Sequence, residues 1–339
     1  MKNALILSCL FLGFCVQSGI AQRGYSDTRL RNDAPTETDW EDFDDSVQRK
    51  SKRWLGKPDK DTPADQLAYA HSLRRDGKTS KAYKAYQALV HEWHSSEQAA
   101  PAQFWSAILK EEQKKYTAAF DEYQYLVDYF SGNYAYGEVL ERQFKIANKL
   151  MTDHSKGFLG LGKGQHPERA LPMFKKIIEN APNWENTPKA MFYMGVIHEQ
   201  KKDWDDAIHA YGRVQDRFPG SELAADSAYR EALCVSEKAV RLQRDETAQR
   251  RALGTLQQFT RRYPNHDDIK EIEKRIAEIR NRLVNMYFER AEFYDKIADK
   301  PTSALICYEE LVRMFPLSEQ ADQARDRIAE LKPAGESSK

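Results

Sequence analysis

The chain has 339 residues, 41% of them hydrophobic and 31% charged, with a mean hydropathy of −0.77. That composition excludes a collagen-like, a wholly disordered or a multi-span membrane protein. Lys plus Arg and Asp plus Glu both number 52, so no net field draws in polyanions, and nucleic acid is not expected as a partner. With only 16 Gly and 13 Pro, the weight falls on helix-forming residues.

Met1-Lys2-Asn3 is a short basic start, Ala4 to Val16 is apolar, and Gly19-Ile20-Ala21 offers small residues where a signal peptidase cuts. Residues 1–21 read as a cleaved secretory signal peptide that exports the chain. Its apolar run is shorter than the roughly 20 residues needed to span a bilayer, and no later segment is apolar enough, so no transmembrane span is expected. Cys15 follows the bulky Phe14 and Cys9 leaves too short an apolar run, so neither is a convincing lipidation site. Residues 22–61 read as a flexible charged arm, acidic over Glu37 to Asp45 and basic over Arg49 to Arg53. Within it, Trp40, Phe43, Trp54 and Leu55 can dock on a partner or on the chain's own first helix.

From Thr62 a pattern recurs six times: Ala, an aromatic or Leu four residues later, and an apolar residue three further on. The sets are Ala82/Tyr86/Leu89, Ala119/Tyr123/Leu126, Ala170/Phe174/Ile177, Ala207/Tyr211/Val214, Ala252/Leu256/Phe259 and Ala304/Tyr308/Leu311. Those spacings put all three side chains on one helical face, with the small Ala letting a neighbouring helix approach. The last four sets are followed by Pro182, Pro219, Pro264 and Pro316, which stop the helix. Twelve residues before the Ala, three units carry another small residue (Ala70, Ala107, Gly195), where an antiparallel first helix crosses. This is the tetratricopeptide repeat (TPR) signature, with a period of about 34 residues.

The expected fold is therefore all-α: a TPR superhelix, or α-solenoid, of five to six helix pairs over residues 62–332. Gln320 to Leu331 forms a C-terminal capping helix, and 333–339 a disordered tail. The alanines are 37, 51, 37, 45 and 52 residues apart, which calls for insertions. The first is the Gly-rich loop 153–166 in the third pair, the second lies near Ala239 to Glu246, and the third lengthens the first helix of the sixth pair across Ile269 to Tyr294.

No motif argues for catalysis, and no catalytic, cofactor-binding or metal-ligating residue is assigned. Gly157 to Gly164 fits seven positions of a phosphate-binding loop, but the eighth is Gly where a Ser or Thr is needed, and no strand precedes it. His91 and His94 are three apart where a metalloprotease helix needs four, and His154 and His166 have no ligand cluster beside them. Cys234 and Cys307 sit at helical positions, read as two core residues, with a disulfide left open.

What remains is the groove formed by the first helices, a usual place for an extended peptide or a partner's edge. Its inward-facing positions in the first two units are Leu67, His71, Arg74, Arg75, Phe104, Ile108 and Glu111. That mixture suits a peptide, one with a carboxylate end near Arg74 and Arg75; alternatively these residues pack on the next repeat or face water.

The repeat endings Val214-Gln-Asp-Arg-Phe-Pro-Gly-Ser221, Phe259-Thr-Arg-Arg-Tyr-Pro-Asn265 and Leu311-Val-Arg-Met-Phe-Pro-Leu-Ser318, behind a signal, resemble a family. It is that of the exported TPR proteins of Gram-negative envelopes of the BamD (YfiO) type, which take part in outer-membrane β-barrel assembly. The resemblance covers about residues 62 to 332. It implies a non-enzymatic periplasmic scaffold associated with the outer membrane, without a cofactor. Its protein partners are then a barrel-assembly component or an unfolded outer-membrane protein peptide, with peripheral membrane association. The family's members are typically lipoproteins, from which this sequence departs. Two other readings are a TPR coordinator of cell-wall synthesis or cell division, against which the arm's lack of heptads counts, and a TPR docking subunit of an envelope enzyme complex.

Overall fold

A computed structural model describes residues 57–152 and 166–332 of the chain. The signal, the arm up to residue 56, the loop over 153–165 and the tail lie outside the described residues. Among the described residues there are thirteen α-helices and no strand. They run as six pairs: α1 (Pro63–Arg75) with α2 (Thr79–Glu92), α3 (Ala99–Glu112) with α4 (Tyr116–Tyr129), and α5 (Tyr136–Thr152) with α6 (Leu171–Asn180). There follow α7 (Thr187–Lys201) with α8 (Trp204–Arg217), α9 (Leu223–Arg241) with α10 (Glu246–Arg262), and α11 (Ile269–Glu292) with α12 (Pro301–Met314). A last helix, α13 (Glu319–Leu331), packs on α12 and α11. Each helix packs on its sequence neighbours, as in a solenoid.

The repeated Ala, aromatic and apolar residues are the core. All eighteen are buried, and Tyr86, Tyr123, Tyr211 and Tyr308 are among the largest fully buried side chains. The small residues on the first helices do what their size allows: Ala70 and Ala107 are fully buried, and a Cβ on Gly195 would stand 2.5 Å from the ring of Tyr211. That glycine is there because the tyrosine ring occupies the space of any side chain.

Helix ends follow local chemistry. Thr62, Asp245 and Ser318 each accept a backbone N–H of the first turn that follows them, which satisfies a donor the helix leaves open. In the last four units the second helix stops at the residue before proline, Ala181, Phe218, Tyr263 or Phe315, whose ψ of 56° to 71° is outside the helical range. Between the two helices of a pair the chain passes through the left-handed region at Gly77 (φ 74°), Lys114 (φ 59°) and Lys202 (φ 63°).

The fifth unit takes up its extra residues in α9 (19 residues) and α10 (17), against 15 in α7 and 14 in α8, and in the turn that joins them. In the sixth unit the first helix, α11, runs for 24 residues and continues into a π-turn over Phe293–Ile297.

Candidate functional site: the first-helix face and its latches

The seven residues expected in the groove lie on α1 and α3, and most already have partners. His71 Nδ1 is 2.7 Å from the Tyr86 hydroxyl, and its ring meets the edge of Trp105. Burial, and then the Arg74 and Arg75 charges, hold the His71 pKa below its ordinary value, which favours the neutral imidazole beside the tyrosine hydroxyl. Burial pushes the Tyr86 hydroxyl up to about 12. Arg74 donates to Glu112 Oε1 at 2.9 Å and lies over the Trp105 ring at 4.2 Å. Glu111 accepts the Tyr123 hydroxyl at 2.7 Å and Arg142 Nη1 at 3.2 Å. Phe104 meets the Tyr123 ring and lies under Arg142, and Leu67 is half-buried against the core. Arg75 is exposed and forms no ion pair among the described residues. Ile108 is a correction: at 7% exposure it belongs to the core, because α3 is packed between α2 and α4 and offers the groove only part of its apolar circumference.

Glu111 reveals a device that recurs. A repeat tyrosine on a second helix donates to an acid on the preceding first helix, and an arginine from the following unit closes on the same acid. Tyr211 donates to Glu199 Oε2 at 2.7 Å, and Arg230 Nη1 bonds Glu199 at 3.0 and 3.2 Å. Tyr308 donates to Asp295 Oδ2 at 3.2 Å, while Arg327 grips both Asp295 oxygens at 2.8 and 2.9 Å. These latches join the second unit to the third, the fourth to the fifth, and the sixth to the capping helix. In each the arginine stands nineteen residues after the tyrosine: Tyr123 to Arg142, Tyr211 to Arg230, Tyr308 to Arg327. The acid stands twelve before it at Glu111 and Glu199 but thirteen at Asp295. Asp295 lies in the π-turn, whose wider backbone ring accommodates one extra residue and keeps the acid aimed at its partners.

The electrostatics agree with the geometry. Burial and the facing acid raise the pKa of Tyr123 and Tyr211, and push that of Tyr308 up to about 12. The hydrogen bonds from Arg327 hold the Asp295 carboxyl, only 3% exposed, below the usual carboxylate range. The sequence reading missed the latches, although the nineteen-residue step is visible in the sequence. Where the second helix has no hydroxyl the step leads elsewhere. Nineteen after Phe174 is Tyr193, which stacks on Phe144, and nineteen after Leu256 is Arg275, which pairs with Glu237 and Glu271.

Other sequence candidates separate. His94 is buried, stacked on Phe130 at 4.6 Å with Nε2 3.0 Å from the Tyr125 hydroxyl, which makes it a core residue. His166 is exposed, with Nδ1 3.0 Å from Glu168 Oε1, while His154 and Gly157 to Gly164 lie outside the described residues. Cys234 and Cys307 are both free, and burial pushes the Cys234 thiol up to about 12.

Comparison with known proteins adds to this picture. Residues 231–334 match the YfiO family of outer membrane lipoproteins, and residues 189–221 match a tetratricopeptide repeat. The outer membrane protein assembly factor BamD of Caulobacter vibrioides is 25% identical over 143 residues, 42% of this chain and 47% of that protein. This chain resembles BamD. The similarity spans less than half of that relative's length. Among solved structures, YrrB, a TPR protein with an unusual peptide-binding site, is 19% identical, with 63% of this chain and 92% of that one covered and a TM-score of 0.31. The C-terminal part of a TPR protein from Cytophaga hutchinsonii is 14% identical, with 78% and 88% covered and a TM-score of 0.31. No helix among the described residues is long and apolar enough to cross a membrane.

Proposed function

We propose that the protein is a non-enzymatic periplasmic TPR scaffold that holds partners of outer-membrane β-barrel assembly at the periplasmic face of the outer membrane. One observation carries this reading: the YfiO match over residues 231–334, which starts within α9, takes in α10 to α13 and joins the similarity to BamD. The proposed organisation is a signal over residues 1–21, an arm over 22–61 and the solenoid over 62–332. The first-helix face supports protein binding through Leu67, His71, Arg74, Arg75, Phe104 and Glu111, all partly or fully accessible, with His71, Arg74 and Glu111 also held by neighbouring side chains.

The test is affinity capture of the tagged protein from solubilised envelopes, with and without the Arg75→Glu and Phe104→Ala changes, and identification of what co-purifies. Recovery of a large outer-membrane barrel protein, reduced by the changes, is the expected result. Recovery of cell-wall enzymes with no barrel protein would refute the assembly reading.

A further inference from the structure

One group of side chains converges at a place that neither the latches nor the groove uses. It lies at the turn of the fourth unit, where the chain leaves α7 and enters α8. His198 is in the last turn of α7, Asp203 is the residue before α8, and Asp206 is in the first turn of α8. His198 Nδ1 lies 4.0 Å from Asp203 Oδ2 and 3.8 Å from Asp206 Oδ2, and one ligand atom from each residue falls within 4.8 Å of the others.

Two features show that these contacts are incomplete as they stand. The separations are too long for hydrogen bonds, yet His198 Nδ1 is shut off from solvent and has no hydrogen-bond partner among the described residues. A buried ring nitrogen left without a partner is costly, which asks what it faces. It faces two carboxylates. Asp203 also stands at the N-cap of α8, but its carboxylate makes no cap hydrogen bond, unlike Thr62, Asp245 and Ser318. It meets Lys201 Nζ at 2.9 Å and otherwise turns towards the histidine.

An imidazole nitrogen and two carboxylate oxygens are a donor set for a borderline cation. Zinc takes nitrogen and oxygen at about 2.0 to 2.2 Å, so two ligand atoms on one tetrahedral ion stand about 3.3 Å apart. The two histidine gaps exceed that by less than about 1 Å, and all three ligand atoms lie within 4.8 Å of one another, a spread that small rotations of the His198, Asp203 and Asp206 side chains would close. Three protein ligands from two successive helices leave a further position for water.

We propose that His198, Asp203 and Asp206 form a binding site for a divalent cation of the zinc class, which braces the turn between α7 and α8. The site directly precedes Glu199, the acid of the latch between the fourth and fifth units, and spans Lys202, whose backbone is left-handed. A cation there ties the end of one helix to the start of the next, with Lys201 giving up its share of Asp203. This inference does not depend on the assembly reading.

The experiment is calorimetric titration of the purified, tag-free protein with zinc, alongside its His198→Ala and Asp206→Asn variants, with cobalt absorption as a second readout. Expected is one saturable equivalent in the parent protein that is lost in both variants, and a cobalt d–d band that disappears with it. Asp206 is 71% exposed, so its variant keeps the fold and carries the test even if His198→Ala does not fold. Absence of saturable zinc binding, or an equivalent that persists in Asp206→Asn, overturns the proposal.

Discussion

Replacing Glu199 by alanine probes the latch logic directly, because the structure gives both of its partners and their surroundings. Tyr211 is fully buried, so its hydroxyl loses its acceptor in a place water does not reach. An unsatisfied buried donor costs about 1 to 3 kcal/mol. The Arg230 pair is more exposed, at 38% and 25% of the two side chains, and screening by solvent limits it to about 1 kcal/mol or less. Glu199→Ala should therefore cost about 1 to 4 kcal/mol. Glu199→Gln keeps an oxygen for both donors and should cost under about 1 kcal/mol. Because a solenoid can open unit by unit, the assay is hydrogen exchange of the α8 and α9 amides together with thermal unfolding. The control is Asp205→Ala, which breaks an exposed contact to Lys238 and should cost under about 1 kcal/mol. If Glu199→Ala destabilises α8 and α9 no more than Asp205→Ala does, the latch is a surface ion pair and the reasoning is refuted.

Two glycines should respond in opposite directions. Gly195→Ala forces a Cβ to 2.5 Å from the Tyr211 ring and should cost about 1 to 3 kcal/mol, whereas Gly254 has nothing within 4 Å of its would-be Cβ, so Gly254→Ala should gain up to about 1 kcal/mol in thermal unfolding. Lys202→Gly relieves a left-handed lysine and should stabilise by up to about 1 kcal/mol, and a loss in chemical denaturation would count against strain at that turn. His71 has a folded pKa below its unfolded value near about 6.5, so protonation favours the unfolded chain. Its contribution is fully present above about pH 6.5 and declines as pH falls below that value, a dependence that His71→Gln should flatten in pH-resolved melting. Asp295 has the usual carboxylate sign: its contribution is present above about pH 4 and is lost as pH falls through its depressed folded pKa, so Asp295→Asn should remove part of the acid sensitivity of α12 and α13.

The parts of the fold legible in the sequence are those fixed by local spacing. Ala82, Tyr86 and Leu89 share a face because helices repeat every 3.6 residues, and Pro219 ends α8 through the residue before it. Both rules act within one turn or two and need no knowledge of the neighbouring unit. The first-helix face is different. Counting four from Phe104 reaches Ile108, but whether that position meets the groove or the core depends on how α3 sits between α2 and α4, and there it is buried. Arg74 and Glu111 likewise looked available because their partners, Glu112 and Arg142, lie 38 and 31 residues away on other helices. A single sequence still carries a trace of those contacts. The step of nineteen residues from tyrosine to arginine holds at all three latches. Phe174 cannot donate, its nineteenth residue is a tyrosine, and the junction between the third and fourth units is held by the rings of Phe144, Phe174 and Tyr193 with the Asn186 to Glu141 hydrogen bond at its edge. Rings that stack without a fixed donor and acceptor tolerate rotation better than a two-point arginine clamp does. At the junction of the third and fourth units, a buried ring without an oxygen thus leaves the contact to packing, where Tyr123, Tyr211 and Tyr308 each anchor a charged clamp.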